Sequence, residues 1–206
     1  MALQAVLDAH REELSYVTCC LLCSRIPFIL ESAVPMTSAT AHDIHHIHPN
    51  PPSPPSTLER DTLLTATAAL ALHHCHSFQP QHYAQCAAGL AAAGHREPLF
   101  WRDLTRASSR RLATFSPAHL AVLCSAIAVS GFVPGLSWIQ ACDKQAARVM
   151  HSMSPEALSA LVWCWGAWNH TPTKRIVDSV KMRLRDMIKG HRLGPEQLLQ
   201  VCKYFL

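Results

Sequence analysis

Apolar positions along this chain recur at helical periods, and four proline-marked phrases cut them into units. Phe78-Gln79-Pro80, Phe115-Ser116-Pro117, Met153-Ser154-Pro155 and Leu193-Gly194-Pro195 each read hydrophobe, small or polar residue, proline, at spacings of 37, 38 and 40 residues. Three residues after the proline stand Tyr83, Leu120, Leu158 and Leu198; ten residues after it stand Leu90, Ile127, Trp165 and Phe205. Fourteen residues on, Gly94 and Gly131 are matched by Asn169, and both residue types tolerate the left-handed conformation that ends helices. A second proline follows at Pro98, Pro134 and Pro172, and then an aligned column of Trp101, Trp138 and Ile176.

These marks predict two helices per unit. Ser116 or Ser154 caps the first helix while Pro117 or Pro155 fills its first turn, where a missing N–H costs nothing. That helix ends at the Gly or Asn, and the second begins near the second proline. Ala121-Val122-Leu123-Cys124-Ser125-Ala126-Ile127-Ala128-Val129 is apolar nearly all round, as in a helix covered on more than one side. A two-helix unit of this length cannot bury its apolar faces alone, so neighbours must stack. The predicted fold is all-α: an α-solenoid, or superhelix, of helical-hairpin repeats of about 38 residues.

Outside the units the pattern changes. Residues 1–30 are predicted as an N-terminal helical segment, with Leu3, Val6, Leu7, His10, Leu14 and Val17 at three- and four-residue steps. Asp8, Glu12 and Glu13 argue against a transit peptide or a secretory leader. The apolar run from Leu14 to Leu30 is interrupted by Arg25 and Pro27 and falls short of the roughly 20 residues a membrane span needs. Residues 31–57 are a His- and Pro-rich linker ending in Pro51-Pro52-Ser53-Pro54-Pro55, which favours an extended spacer. Residues 58–77 carry a helix that fits a degenerate capping unit, and the superhelix is expected from about Leu58. Three full units then span 78–114, 115–152 and 153–190. The fourth stops at Leu206, as expected of a fragment of a longer protein or a truncated gene model.

Composition alters this picture little. A chain of 206 residues with 49% hydrophobic residues supplies a substantial core, and a net charge of +4 permits nucleic-acid contact without requiring it. The abundance of Ala, Pro, His and Arg fits a GC-rich coding sequence. Of nine cysteines, Cys86, Cys124, Cys164 and Cys202 fall in first helices and are expected to be buried reduced thiols, not a disulfide framework. Burial is also the reading for Cys19, Cys20 and Cys23, since no second ligand pair stands at a diagnostic spacing. The histidines at His42, His45, His46, His48, His73, His74 and His76 are compositional tracts, so no metal is assigned.

No nucleophile elbow, Walker loop or H-E-x-x-H motif is present, and the carboxylates are few and scattered. Neither enzymatic activity, cofactor nor small-molecule substrate is therefore expected. The candidate chemistry is cationic. Arg102, Arg106 and Arg110 stand at i, i+4 and i+8 on the second helix of the first full unit, with Arg111 adjacent, opposite the apolar line of Trp101, Leu104 and Leu112. Lys181 and Arg185 fall in the sequence-aligned columns of Arg106 and Arg110, joined by Lys174, Arg175, Lys189 and Arg192. The middle unit breaks the row with Asp143 and Ala147, while Lys144 and Arg148 lie beside them. Such a row would track a phosphate backbone; its bland alternative is a solvated outer face. Trp165 and Trp168 share a face with Leu158 and Leu161 and belong to the core, while Trp163 packs on a neighbouring unit.

The run from Phe115-Ser116-Pro117-Ala118-His119-Leu120-Ala121 through Gly131-Phe132-Val133-Pro134 and Trp138, with its partner Met153-Ser154-Pro155-Glu156-Ala157-Leu158 through Trp163, resembles the octotricopeptide repeat. That family comprises degenerate 38-residue helical-hairpin repeats in organelle proteins of green algae and related lineages, and the similarity covers residues 78–206. The resemblance implies binding of single-stranded organellar RNA in mRNA stability, processing or translation, within a chloroplast or mitochondrion. It also allows a protein-interaction scaffold or a structural subunit of an organellar ribosome. Family members present polar residues on the first helix to read bases. The column five residues after the proline is one such place, and it holds Gln85, Val122, Ala160 and Gln200.

Overall fold

The structure is a computed structural model that describes residues 16–32, 57–190, 192 and 194–195. Those residues form α1 (Tyr16–Ser32), α2 (Thr57–His74), α3 (Pro80–Ala92), α4 (Pro98–Ser109), α5 (Pro117–Val129), α6 (Leu136–Val149), α7 (Pro155–Ala167) and α8 (Lys174–Lys189). There is no strand among them.

The repeated phrase does locally what its chemistry requires. Pro80, Pro117 and Pro155 each occupy the first position of a helix. The Ser116 hydroxyl accepts from the His119 amide at 3.3 Å and the Ser154 hydroxyl from the Ala157 amide at 3.2 Å. At the Gln79 cap the roles reverse, and the Gln79 amide donates to His82 Nδ1 at 3.0 Å. Truncating one such cap orphans a helix-end amide, so Ser154→Ala should cost about 1 kcal/mol in a urea unfolding titration. The far ends are left-handed, with φ of +88° at Gly94, +80° at Gly131 and +50° at Asn169. Around Gly94, the His95 amide reaches back to the Leu90 carbonyl at 2.9 Å and the Gly94 amide to Ala91 at 3.1 Å. The same pair of bonds recurs from His170 to Trp165 at 2.9 Å and from Asn169 to Gly166 at 3.0 Å. A short 3-10 turn then leads from each second helix into the next phrase: Cys75–Ser77, Leu112–Thr114 and Met150–Ser152.

Packing follows two lines. First helices stack on first helices, α1 on α3, α3 on α5 and α5 on α7, and second helices follow suit, α2 on α4, α4 on α6 and α6 on α8. The phrase hydrophobes Phe78, Phe115 and Met153 are buried between the lines, as are Tyr83, Leu120 and Leu158. The second line begins with α2, at the expected start near Leu58, whereas the first begins earlier, with α1. α1 lies against α3 much as α3 lies against α5, and with α2 it completes the hairpin that the lone capping helix 58–77 was expected to replace. α1 runs on through Pro27.

Gly89 allows this. A Cβ built there would lie 1.8 Å from the Cys23 carbonyl oxygen, so the α1 backbone rests directly on α3. Cys19, Cys20, Cys23 and Ile26 are the buried face of α1. Residues 1–15, most of the His- and Pro-rich linker and the residues from 196 onward lie outside the described region. Among described residues, no helix is long and apolar enough to cross a membrane.

Candidate nucleic-acid interface

The second helix of the first full unit is built to show arginine. Its amphipathic sequence buries Phe100, Trp101, Leu104, Thr105 and Ser108 and leaves Arg102, Arg106 and Arg110 exposed, with Arg111 half-buried just beyond its end. The Glu97 side chain caps its start, accepting from the Leu99 amide at 3.3 Å. Trp101 locks it inward, donating from Nε1 to the His95 carbonyl at 3.2 Å.

These arginines line an open cleft of about 1240 Å³, walled on the other side by Cys75, His76, Gln79 and Tyr83. Arg102 Nε pairs with Asp103 Oδ1 at 3.0 Å, and Arg111 Nη1 reaches Gln79 Oε1 at 3.5 Å. Arg106 and Arg110 have no side-chain hydrogen bond or ion pair among the described residues. The Tyr83 hydroxyl donates to the Cys75 carbonyl at 2.6 Å, and burial pushes its phenol up to about 12, so it stays neutral. The cleft thus holds two uncompensated guanidinium groups beside two partly occupied ones. A concave, cationic surface of this kind concentrates anions and offers bidentate geometry to phosphate.

The sequence-based columns need one correction. Counted from the helix starts, the seventh residues Leu104, Cys142 and Val180 and the eleventh residues Ser108, Ala146 and Leu184 are all buried. In that register Arg106 is matched by Lys144 and Met182, and Arg110 by Arg148 and Asp186. Lys181 and Arg185 therefore do not share columns with Arg106 and Arg110. Nor does α6 break the row: Lys144 and Arg148 continue it, both exposed, on the helix that packs beside α4. Asp143 belongs to the buried column of Thr105. It accepts from Trp165 Nε1 at 2.9 Å and meets His170 Nε2 at 2.8 Å.

The remaining candidates stand apart from the cleft. Lys174, Arg175, Lys181, Arg185 and Lys189 are exposed along α8, and Arg192 is exposed beyond it. Lys174 and Arg175 sit in the first turn, where cations oppose the helix dipole, so helix stability does not account for them. Gln85 is exposed on α3, and Gln200 lies outside the described residues. The column of Gln85 continues as exposed Val122 and half-buried Ala160. Val122 and Ala160, with Ala88, Ala91, Val129 and Ala157, line a shallow apolar groove of about 470 Å³ across α3, α5 and α7. Trp165 and Trp168 are buried as expected, and half-buried Trp163 packs against the core.

A second cluster was not legible in the sequence. Cys19 and Cys23 of α1 meet Cys86 of α3, with all three sulfurs within 4.8 Å of one another, and Cys20 Sγ lies 3.7 Å from Cys86 Sγ. Hydrogen bonds from the Cys23 and Cys86 thiols draw Cys19 down to about 4. Giving those bonds holds Cys23 and Cys86 protonated, and burial adds to the effect. The spacing of Cys19 and Cys23 marks one helix face, but nothing in a single sequence brings Cys86 to it.

No protein-family model matches the chain, and no curated protein matches it, so its chemistry is read from these two clusters and the packing around them.

Proposed function

We propose that this chain is a non-enzymatic α-solenoid of octotricopeptide type that binds single-stranded RNA in a chloroplast or mitochondrion and acts in mRNA stability, processing or translation. The observation that carries the reading is the arginine cleft. Arg106 and Arg110 spend no charge on internal partners, and Lys144 and Arg148 extend their columns onto the adjoining helix. Phosphate is the ligand such a row suits, because guanidinium donors meet phosphate oxygens in pairs and a strand repeats them at regular intervals. The contacts made this way are blind to sequence. The apolar Val122 and Ala160 positions on the first helices leave few polar groups there to read bases.

The groove across α3, α5 and α7 favours a second reading, a protein-interaction scaffold or a structural subunit of an organellar ribosome-like assembly, in which that groove receives a partner. One titration separates the two. The full chain and its Arg106→Ala, Arg110→Ala, Lys144→Ala, Arg148→Ala variant are titrated with single-stranded RNA over a range of salt. Each lost phosphate contact should lower the salt slope by about 0.7 and weaken unrelated RNAs alike. The set Lys181→Ala, Arg185→Ala should change less, since these residues lie neither in the cleft nor in the columns that Lys144 and Arg148 continue from it. Equal affinity and slope for parent and quadruple variant would retire the RNA reading in favour of the scaffold.

A further inference from the structure

We propose that Cys19, Cys23 and Cys86 are a three-thiolate site for a single Zn²⁺ ion, with His74 as the fourth ligand. The argument begins with the packing. A buried cysteine is an ordinary small hydrophobe, and burial alone explains Cys124 and Cys142, which meet as a pair at 4.0 Å. It does not require three sulfurs to converge. Cys19 and Cys23 lie one turn apart on α1, on one face of the helix, and Gly89 lets that face approach α3 until the Cys23 backbone touches it. Cys86 stands one turn before Gly89, so the same close approach delivers the third sulfur.

The distances suit a tetrahedral ion. A Zn–S bond of about 2.3 Å places tetrahedral sulfurs about 3.8 Å apart. Here the three lie within 4.8 Å of one another, so rotamer-scale adjustments close the site. This is the only such group of three or more among the described residues. The fourth donor comes from the partner helix of α1's hairpin. His74 ends α2, and its Nε2 is buried without a hydrogen-bond partner. A buried imidazole nitrogen left unsatisfied costs roughly 1–3 kcal/mol, which coordination would remove. Cys20 is the competing donor, since its sulfur lies 3.7 Å from Cys86; like the His74 ring nitrogens, it stands outside the group of three. A filled site would tie α1, α2 and α3 together, and its ligands would lose their protons as the ion enters.

The test uses the full chain, reduced and kept free of oxygen, titrated with Co²⁺ as an optical probe and then with Zn²⁺. The expected result is one Co²⁺ per chain, with thiolate-to-metal charge-transfer absorption and the intense visible bands of tetrahedral cobalt, both abolished by stoichiometric Zn²⁺. Cys86→Ala, which keeps the apolar packing, and Cys19→Ala should each weaken binding at least about tenfold. Cys124→Ala should bind like the parent. His74→Ala should weaken binding while Cys20→Ala should not; the reverse would replace His74 by Cys20 and overturn that assignment. Absence of the charge-transfer band in the parent, with its thiols shown free by a thiol reagent, would overturn the site as a whole. This readout needs no variant to fold, and it is independent of RNA binding.

Discussion

Gly89→Ala should destabilise the protein by about 3 kcal/mol, against the usual gain of about 0.5–1 kcal/mol when alanine replaces glycine inside a helix. The new methyl carbon would fall 1.8 Å from the Cys23 carbonyl oxygen, and backbone on both sides leaves no side chain free to swing away. α1 must lift from α3, and with it goes part of the burial of Cys19, Cys20, Cys23 and Ile26. Thermal unfolding should register a fall of several degrees, and amides in α1 should exchange faster while those in α5 and α7 keep their protection. Gly94→Ala is the control. That glycine has φ of +88° but open space around it, so its cost is left-handed strain alone, on the order of 1 kcal/mol. Equal effects from the two substitutions would mean that α1 does not rest on Gly89.

Asp143→Ala should cost a comparable amount, about 3 kcal/mol, because it strands two donors at once. The carboxylate is 5% exposed and ties α6 to the next hairpin, taking the Trp165 indole N–H with one oxygen and His170 with the other. Asp143→Asn keeps an acceptor for Trp165 and weakens only the second contact, so its cost should be half or less. Denaturant unfolding of the two variants separates them. If they are equally destabilised, the charge of Asp143 matters more than its acceptor geometry.

Local chemistry was readable from the sequence, and distance was not. Pro117 and Ser116 fix a helix start, and Gly94, Gly131 and Asn169 mark an end that comes two residues before them, so first helices could be placed to the residue at their starts and within two at their ends. The second helices defeated the same method because identical letters play different parts. Pro98 is the first residue of α4, whereas Pro134 and Pro172 precede the caps Gly135 and Thr173 of α6 and α8. One residue of difference in the preceding loop turns a helix by about 100°, enough to exchange an exposed Lys144 for a buried Asp143. The arginines of α4 were legible as a face, since i, i+4 spacing is intrinsic to one helix. Their cleft was not, because Cys75, Gln79 and Tyr83 reach it from the preceding turn and from α3. Cys86 and Gly89 carried no signal, each being an ordinary small residue until α1 arrives from over sixty residues away.

Because each hairpin leans chiefly on the one before and the one after it, the molecule's cohesion is a chain of local bonds with no single keystone. Stability in such an arrangement is a sum of intrinsic and nearest-neighbour parts, so an outer hairpin is free to peel while the α3 to α6 interior holds. Pulled along its length, it would yield in steps, one hairpin at a time, and recover in the same order. An RNA strand of the kind proposed, running from the arginine cleft to Lys144 and Arg148, would bridge two neighbouring hairpins and oppose that peeling.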